Sequence, residues 1–335
     1  MTVPVVSILM PVRNEAHFLP AAIVSLQRQT FTDWELVAVD DGSSDCTRTI
    51  LDSAAENDPR IRVTASPGQG LVPALNHGLS LCRADFVARM DGDDICHPKR
   101  LEDQYRFLND HPDIGLVACN FRHFPRHQLK SGMIGYEEWQ NGLLTHEQIC
   151  RDLFVESPFV HPSTMIRRHV LASVAGYRDL GWAEDYDLWL RLAAAGIRFA
   201  SLPQTLFFWR DRPERSTRTM QEYTMEAFRR CKVHHLRNGF LRDASEVTLV
   251  GAGLEGRAWR KVLDSVGIAV KRWVDLDPRK VGRTLHGAPV VPPAAVKPGS
   301  GPMLVTIGVR GARAQVRDWA TAIGLVEGVD FLCVT

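Results

Sequence analysis

The sequence contains no apolar run of the roughly 18 to 20 residues that a transmembrane helix requires. Its first residues also lack the basic stretch and the small-residue cleavage site of a signal peptide. We therefore expect a cytoplasmic protein without a transmembrane segment. Peripheral association with a membrane is left open, because it needs neither feature.

No sign of charge dominates either, since 40 Lys and Arg stand against 39 Asp and Glu, for a net charge of +1. This balance argues against nucleic acid as a partner. The seven cysteines include no CxxC pair, which argues against a disulfide framework and against a zinc knuckle. An apolar share of 45% is typical of a globular protein, and 335 residues are enough for two domains.

Short β-branched runs alternate with amphipathic, helix-length segments in the first part of the chain. This alternation predicts an α/β fold, a mostly parallel sheet flanked by helices. After Cys119 the pattern loosens into a polar stretch through Thr145, which we predict to be an insertion loop. Two later runs, "IRFASLP" and "TLFFWR", are predicted as separate strands. The earlier predicted strands begin at Val5, Trp34, Arg60, Asp85 and Ile114.

A second α/β pattern starts afresh in the last third of the chain. Gly251, Gly253 and Gly256 lie between a predicted strand and a predicted helix, and Asp275 follows the third glycine by 19 residues. This context fits a turn that binds a mononucleotide or dinucleotide, with a carboxylate for the ribose. We predict an α/β domain at 1–218, a helical connector at 219–242 and a smaller Rossmann-like domain at 243–335.

The first domain carries three acidic residues within four positions, Asp91, Asp93 and Asp94, directly after a predicted strand. Such carboxylates repel one another unless a positive charge is present, and divalent cations prefer oxygen ligands. The alternative is a solvated loop, and for Asp94 we favour capping of the next helix. An EF-hand is excluded, because Ile95 and Cys96 stand where an oxygen ligand and a glycine are required.

A second acidic turn, "DDGSSD", follows the strand that begins at Trp34. Alone it fits a polar turn in which Ser44 or Asp45 caps the next helix. Both turns, however, follow strands of one predicted parallel sheet, and ligands bind where the carboxyl ends of such strands converge. Their order therefore favours one shared binding site.

Five motifs together resemble one enzyme family in order and spacing: "VSILMPVRNE", "QTFTDWELVAVDDGSSD", "ADFVARMDGDD", "HPSTMIRR" and "WAEDYDLWLRLAAAG". Over roughly residues 3–215 the chain resembles family 2 of the inverting glycosyltransferases, which have the GT-A fold. The resemblance implies transfer of a sugar from a nucleotide-diphosphate sugar, with a UDP-sugar favoured, to a hydroxyl of a glycan or glycoconjugate acceptor. It also implies a role in surface polysaccharide synthesis and a requirement for Mg²⁺ or Mn²⁺.

Two other functions fit part of the pattern. A nucleotidyltransferase acting on a sugar phosphate also pairs a nucleotide-binding sheet with acidic metal ligands, but "PVRNEAHFLP" has no glycine for the usual phosphate loop. A non-catalytic nucleotide-sugar-binding protein would have no need of both Asp93 and Asp185. Both alternatives are less favoured than glycosyl transfer.

The resemblance assigns donor-side residues through the motif positions that they occupy. Pro11, Arg13 and Glu15 would line the base pocket, and Asp41 would accept a hydrogen bond from the base. A carboxylate suits the imide N–H of uracil, although thymine presents the same edge.

The resemblance also assigns the residues around the diphosphate. Asp93 would be the main protein ligand of the metal, and Asp91 would lie near the ribose and the metal. Arg210 is the expected diphosphate contact in an arginine-rich run whose other members are Arg212, Arg215 and Arg218.

On the acceptor side, Asp185 matches the general base of the family, which takes the proton of the attacking hydroxyl. Glu184 would support it. Trp182 is expected either to stack on an acceptor sugar or to pack as an ordinary aromatic. His161 matches a recurrent histidine near the acceptor, and a purely structural histidine is the alternative.

In the last domain, "WVDLDPRKVGRTLHGAPVV" resembles the nucleotide-sugar-binding domain of bacterial sugar acyltransferases. The segment of about ninety residues has no obvious catalytic acid, base or nucleophile, so we predict a binding or scaffolding module rather than a second enzyme. Its site would comprise Gly251, Gly253, Gly256 and Asp275. A nucleotide sugar, NAD and no ligand are all left open.

Overall fold

The computed structural model describes residues 3–213, 215–309 and 311–335. The chain forms two compact units. The first comprises Met1–Ile149, Pro158–Leu180 and Glu184–Thr219. The second comprises Cys150–Ser157, Gly181–Ala183 and Met220–Thr335. Within the described residues, no helix has both the length and the apolar character that a bilayer span requires.

The first unit is built on one eight-stranded sheet. Its strands are β1 Val6–Val12, β2 Trp34–Asp40, β3 Ile61–Ala65, β4 Phe86–Arg89, β5 Ile95–Cys96, β6 Ile114–Phe124, β7 Met165–Arg167 and β8 Arg198–Arg210. Its helices are α1 Leu19–Gln27, α2 Thr47–Asn57, α3 Leu71–Leu81, α4 Arg100–Asp110, α5 Ser131–Asn141, α6 His146–Asp152, α7 Arg168–Ser173, α8 Glu184–Ala194 and α9 Ser216–Thr219. The last residues of α6 belong to the second unit.

The strand order of this sheet is β3-β2-β1-β4-β7-β6-β8-β5. Strands β3, β2, β1 and β4 run parallel, whereas β7 is antiparallel to both of its neighbours. Every residue of β1 and β2 is buried, as is typical of parallel strands covered by helices on both faces. This mixed α/β sheet flanked by helices is the predicted fold class.

Helix α1 shows how the amphipathic pattern covers the sheet. Leu19, Ile23 and Leu26 recur at helical spacing and are each at most 5% exposed. Burying each such side chain contributes about 1.5–3 kcal/mol. The helix therefore follows directly from the sequence pattern.

The segment between β6 and α6 differs from the predicted loop, because it contains helix α5. Polar contacts hold this helix to β6. Glu137 accepts the N–H of His123 at 2.7 Å, and the Asn141 amide both accepts from and donates to the backbone of Phe121, at 3.0 and 2.8 Å. The helix docks through hydrogen bonds rather than an apolar stripe, so hydrophobic periodicity gave no signal for it.

The predicted strands "IRFASLP" and "TLFFWR" form a single strand, β8. It pairs with β6 along its length, and the register shifts near Cys119 and Asn120. Pro203 lies within the strand close to these irregularities, and such positions tolerate a missing N–H. The proline suggested a break, whereas the irregular register accommodates it.

The second unit holds a six-stranded sheet of order β11-β12-β10-β9-β13-β14. Its strands are β9 Glu246–Val250, β10 Ala269–Val274, β11 Thr284–Leu285, β12 Ala288–Val291, β13 Met303–Val305 and β14 Phe331–Cys333. Its helices are α10 Met225–Asn238, α11 Leu254–Ser265 and α12 Ala312–Ala322. All strand pairs are parallel except β11 with β12, and Trp259 and Trp273 are fully buried in the core.

Candidate active site

Strands β1, β2 and β4 are neighbours, so their carboxyl ends meet at one edge of the sheet, which we call the donor edge. Asp41, directly after β2, is 6% exposed, and its two carboxylate oxygens accept the N–H of Gly70 at 3.1 and 2.9 Å. A guanidinium nitrogen of Arg13 lies 3.8 Å from the same carboxylate. Pro11 is buried within β1. The structure thus brings Arg13 and Asp41 together just beyond the strand that contains Pro11.

The turn after β2 also shapes the turn after β1. Asn14 has a φ of 56°, a conformation that asparagine tolerates, and its side chain accepts the N–H of Ser44 at 2.8 Å. Asp45 accepts the N–H of Ala16 at 3.1 Å and that of Thr47, the first residue of α2, at 2.9 Å. The polar turn therefore caps α2 and at the same time links two strand ends of the donor edge.

Asp91, Asp93 and Asp94 follow β4 and offer carboxylate oxygens that all lie within 4.8 Å of one another. Asp94 is completely buried and accepts the backbone N–H of Arg210 at 2.7 Å. The predicted capping role for Asp94 is therefore wrong, because the cap position of α4 is Lys99, five residues further on. The Asp94 carboxylate instead connects the end of β4 with the end of β8.

Burial of these carboxylates disfavours their charged forms. The pKa of Asp93 is raised by burial and by the charge of Asp91. The pKa of Asp94 is raised well above its usual range by burial and by the charges of Asp93 and Asp91. Among the described residues, Asp94 Oδ2 is buried without a hydrogen-bond partner. A compact set of oxygen donors with one orphaned oxygen fits a hard divalent cation such as Mg²⁺ or Mn²⁺.

Two buried arginines hold the end of β4. Arg89 is 4% exposed and its guanidinium contacts Asp91 at 2.6 Å. Arg100 is 1% exposed and donates to the backbone carbonyls of Arg89 and Thr164, at 2.9 and 3.2 Å. Sequence reasoning missed both residues, because an arginine inside a strand or helix has no motif of its own.

Two further arginines reach the donor edge from the end of β8 and from the segment that follows it. Arg210 donates from Nε to the Asp93 carbonyl at 2.6 Å, and its guanidinium carbon lies 4.4 Å from the ring centres of both Phe18 and Phe124. Arg212 contacts the carboxylate of Asp93 at 2.9 Å and also pairs with Glu15. The predicted donor residues Arg210 and Glu15 therefore converge on the acidic turn.

Glu15 is a perturbed acid in this cluster. Burial and the charge of Asp93 raise its pKa to about 7, although Arg212 acts in the opposite direction. Its Oε2 is buried without a hydrogen-bond partner in the described part of the chain. Groups with such perturbed pKa values cluster at functional sites.

Asp185 and Glu184 lie in the first turn of α8. Glu184 contacts His161 Nδ1 at 3.3 Å, and His161 Nε2 lies 3.0 Å from the hydroxyl of Tyr177. Burial lowers the pKa of His161 despite its contact with Glu184, which favours the neutral imidazole. Burial, and then the charge of Glu184, raises the pKa of Asp185 well above the usual aspartate range. A carboxylate of raised pKa is a suitable general base near neutral pH.

Trp182 does not belong to the same unit as Asp185. It lies in the short segment Gly181–Ala183 of the second unit, where its ring centre is 5.4 Å from that of His234. The aromatic contact accords with the packing alternative that the sequence left open.

Asp187 shapes the helix that presents Asp185, and sequence reasoning missed it. This carboxylate is fully buried and accepts from Arg178 at 2.8 Å and from Arg191 at 2.7 Å. Arg191 also donates to the carbonyls of Val174 and Gly176, at 2.6 and 2.7 Å. The i,i+4 spacing of Asp187 and Arg191 on a predicted helix was the available signal.

The glycine turn of the second unit follows β9 directly. Gly251 has a φ of +107°, and a Cβ on Gly256 would lie 2.1 Å from the Gly251 carbonyl, so both positions require glycine. Asp275 accepts the N–H of Ala252 and the ammonium of Lys280, each at 2.9 Å. Although burial opposes it, hydrogen bonds including those from Asp277 N–H and Lys280 lower the pKa of Asp275. The turn is compact, and the Asp275 carboxylate is already paired with the ammonium group of Lys280.

An α/β sheet with acidic turns at the carboxyl ends of nearby parallel strands is typical of enzymes that bind nucleotide-linked substrates. The glycosyl transferase family 2 model matches residues 7–174, and the chain belongs to this glycosyltransferase family. The putative glycosyltransferase EpsE of Bacillus subtilis is 30% identical over 228 residues, which cover 67% of this chain and 79% of EpsE. The amylovoran biosynthesis glycosyltransferase AmsE of Erwinia amylovora is 33% identical over 195 residues, or 58% of this chain and 71% of AmsE.

Solved structures share the fold. Staphylococcus aureus TarS 1–349 in complex with UDP-GlcNAc aligns with a TM-score of 0.58 and 17% identity, covering 78% of this chain and 71% of that one. The mannosyltransferase PcManGT from Pyrobaculum calidifontis, in complex with GDP-Man and Mn²⁺, aligns with a TM-score of 0.52 and 20% identity, covering 79% and 69%. The family model and the relatives confirm the predicted family and glycosyltransferase activity, and the solved structures confirm the predicted fold class. The roles of individual residues stay predictions.

Proposed function

We propose that the chain is a metal-dependent inverting glycosyltransferase that uses a nucleotide-diphosphate sugar, with a UDP-sugar favoured. The observation that carries the proposal is the donor edge, where Asp41 and the turn from Asp91 to Asp94 follow β2 and β4, the two strands that flank β1. The UDP-GlcNAc bound by TarS supports a nucleotide-sugar donor. The name of AmsE supports a role in surface polysaccharide or glycoconjugate synthesis.

On the donor side, Pro11, Arg13 and Glu15 are proposed to line the base pocket, with Asp41 accepting a hydrogen bond from the base. The fixed position of the Asp41 carboxylate, held by Gly70 N–H, supports this assignment. A preorganised acceptor loses little entropy when the base binds.

The diphosphate is proposed to bind beside Asp91, Asp93 and Arg210. Asp93 and Asp91 would hold Mg²⁺ or Mn²⁺, which supplies charge neutralisation of the leaving diphosphate when bound. The Mn²⁺ in the PcManGT complex supports a divalent ion of this kind. Arg210, held between two aromatic rings, would keep a positive charge directed at the same group.

For the transfer step, Asp185 is proposed to take the proton of the acceptor hydroxyl as its oxygen attacks the anomeric carbon. The raised pKa of Asp185 supports this role, because a stronger base accepts a proton more readily. Glu184 and His161 would position this end of α8 through their mutual contact, on the acceptor side of the site. Trp182 is retained as an acceptor-side candidate of lower rank.

We further propose that residues 1–218 carry out transfer and that 243–335 form a nucleotide-binding or scaffolding module, joined by the connector at 219–242. Gly251, Gly253, Gly256 and Asp275 would form its site for a nucleotide or NAD. The positive φ of Gly251 and the close packing of Gly256 against the Gly251 carbonyl support a tight turn of the kind that such nucleotide sites use.

The test of transfer uses donor hydrolysis and transfer assays with a panel of nucleotide sugars. Asp185→Asn should lower kcat by roughly 10²- to 10⁴-fold, the contribution typical of a general base, while the Kd of the donor stays unchanged. Asp179→Asn is the matched control, since Asp179 is exposed and lies in the preceding loop. Unchanged transfer by Asp185→Asn would show that another group is the base.

A further inference from the structure

One guanidinium of the donor edge contacts two carboxylates at once. Arg212 Nε lies 2.9 Å from Asp93 Oδ2, and the terminal nitrogen of the same side chain pairs with Glu15. Both partners belong to the proposed donor site. The positive charge beside the main proposed metal ligand is therefore supplied by the chain itself.

Arg89 and Arg210 belong to strands of the sheet, whereas Arg212 lies beyond the last residue of β8. Arg89 is 4% exposed and bonded to Asp91, and Arg210 lies between two aromatic rings with its backbone N–H bonded to Asp94. The side chain of Arg212 is 23% exposed and lies on the segment that follows β8. Its side-chain contacts with the two carboxylates lie outside the strand pairing of β8, and its guanidinium carbon is 5.3 Å from the ring centre of Phe18.

We infer that Arg212 is a resident counter-cation that competes with the divalent metal for Asp93. The inference rests on the proposed donor site. Two positive charges at one carboxylate repel each other, so the guanidinium and the ion hold Asp93 alternately. In the absence of donor and metal, Arg212 stays paired with the carboxylates of Asp93 and Glu15.

A clamp that merely holds the site together predicts the opposite effect of mutation. If Arg212 only stabilises the shape of the donor edge, its removal loosens the carboxylates and weakens metal binding. If Arg212 competes, its removal frees Asp93 and strengthens metal binding. The sign of the change in metal affinity therefore separates the two roles.

The experiment measures Mn²⁺ binding to the full chain in the presence of UDP, from the electron paramagnetic resonance signal of free Mn²⁺. Arg212→Gln should lower the Kd for Mn²⁺ roughly tenfold, or about 1.4 kcal/mol. Arg212→Lys, which retains the charge, should stay closer to the wild type. Arg48→Gln is the control, because Arg48 is an exposed arginine that pairs with Asp52 on α2.

The possible outcomes are distinct. Unchanged or weaker Mn²⁺ binding by Arg212→Gln overturns the competition while leaving the metal site intact. If UDP binds but neither the wild type nor Arg212→Gln binds Mn²⁺, the proposed metal dependence fails and the competition fails with it. If UDP does not bind to the wild type, the proposed donor class is wrong.

Discussion

At the scale of single residues, burial and then neighbouring carboxylates raise the pKa values of Glu15, Asp93, Asp94 and Asp185. Sequence motifs identified Asp91, Asp93 and Asp185 as candidates, and the structure gives each a charged neighbour. The motifs did not reveal Arg89, which contacts Asp91, because its role depends on a contact between side chains within a buried strand end. They also misjudged Asp94, whose partner is 116 positions away in sequence.

The pair Glu184 and Asp185 leads to a prediction about pH. Asp185 must be ionised to accept a proton, so kcat/KM falls as the pH falls through its pKa. Burial raises that pKa most, and the charge of Glu184 raises it further. Glu184→Gln removes the second contribution, so the acidic limb of the pH profile should move to lower pH.

The measurement for this variant is kcat/KM across the acidic range with saturating metal. Glu138→Gln, a substitution at an exposed glutamate of α5, should leave the limb in place. A limb that stays fixed, or moves to higher pH, in Glu184→Gln would mean that the charge of Glu184 does not act on the catalytic base.

At the scale of elements, the sequence pattern predicted the parallel strands and their helices well. Continuous apolar runs and apolar spacing at three and four residues carry the signal for β1, β2 and α1. Helix α5 was missed because its contacts with β6 are polar. Strand β8 was divided in two because Pro203 usually marks a break.

The turn after β4 also depends on one glycine. A Cβ on Gly92 would lie 2.7 Å from Cγ1 of Val12 at the end of β1, closer than real contacts allow. Gly92→Ala should therefore displace the acidic turn, destabilise the first unit by about 1–3 kcal/mol and weaken UDP binding in the presence of Mn²⁺. Calorimetry and thermal unfolding measure the two effects.

A second substitution makes this prediction specific. Val12→Ala in the Gly92→Ala background removes the close methyl group and should restore part of the UDP affinity. Gly132→Ala, where an added Cβ meets no atom within 4 Å, should change neither affinity nor stability through a steric contact. Full UDP affinity in Gly92→Ala alone would show that the position of the turn is not critical.

At the scale of the whole molecule, one chain carries two α/β units, each built on a sheet that contains neighbouring parallel strands. The family model covers residues 7–174, within the part in which the sequence motifs were found. The second unit has only its glycine turn and Asp275 as sequence signals, and physical reasoning cannot name a ligand from them. Ligand choice depends on side chains around the turn that no motif specifies.

Gly253 allows the second site to be tested in the intact chain. Its φ of −89° is ordinary and an added Cβ meets no atom within 4 Å, so Gly253→Asp should fold normally. The new carboxylate would repel a phosphate at the start of α11. We expect calorimetry to show, in the wild type, a binding event for NAD or a second event for a UDP-sugar beyond that of the donor site, and Gly253→Asp to lose it while transfer activity persists.

Gly132→Asp, in the first unit, controls for the added charge. Identical heats from the wild type and Gly253→Asp with both ligands would favour a scaffolding role for the second unit.

The bond between Asp94 and the backbone of Arg210 has a consequence for recombining this enzyme with its relatives. The bond joins the turn after β4 to the last residue of β8, so these two parts of the first unit do not fold independently of each other. Because the partner on β8 is a backbone N–H, any residue except proline at position 210 can supply it, whereas position 94 must provide an acceptor. A chimera that takes β8 from a relative should therefore keep this bond when the sequence at the end of β8 changes, but lose it when the length of the strand changes.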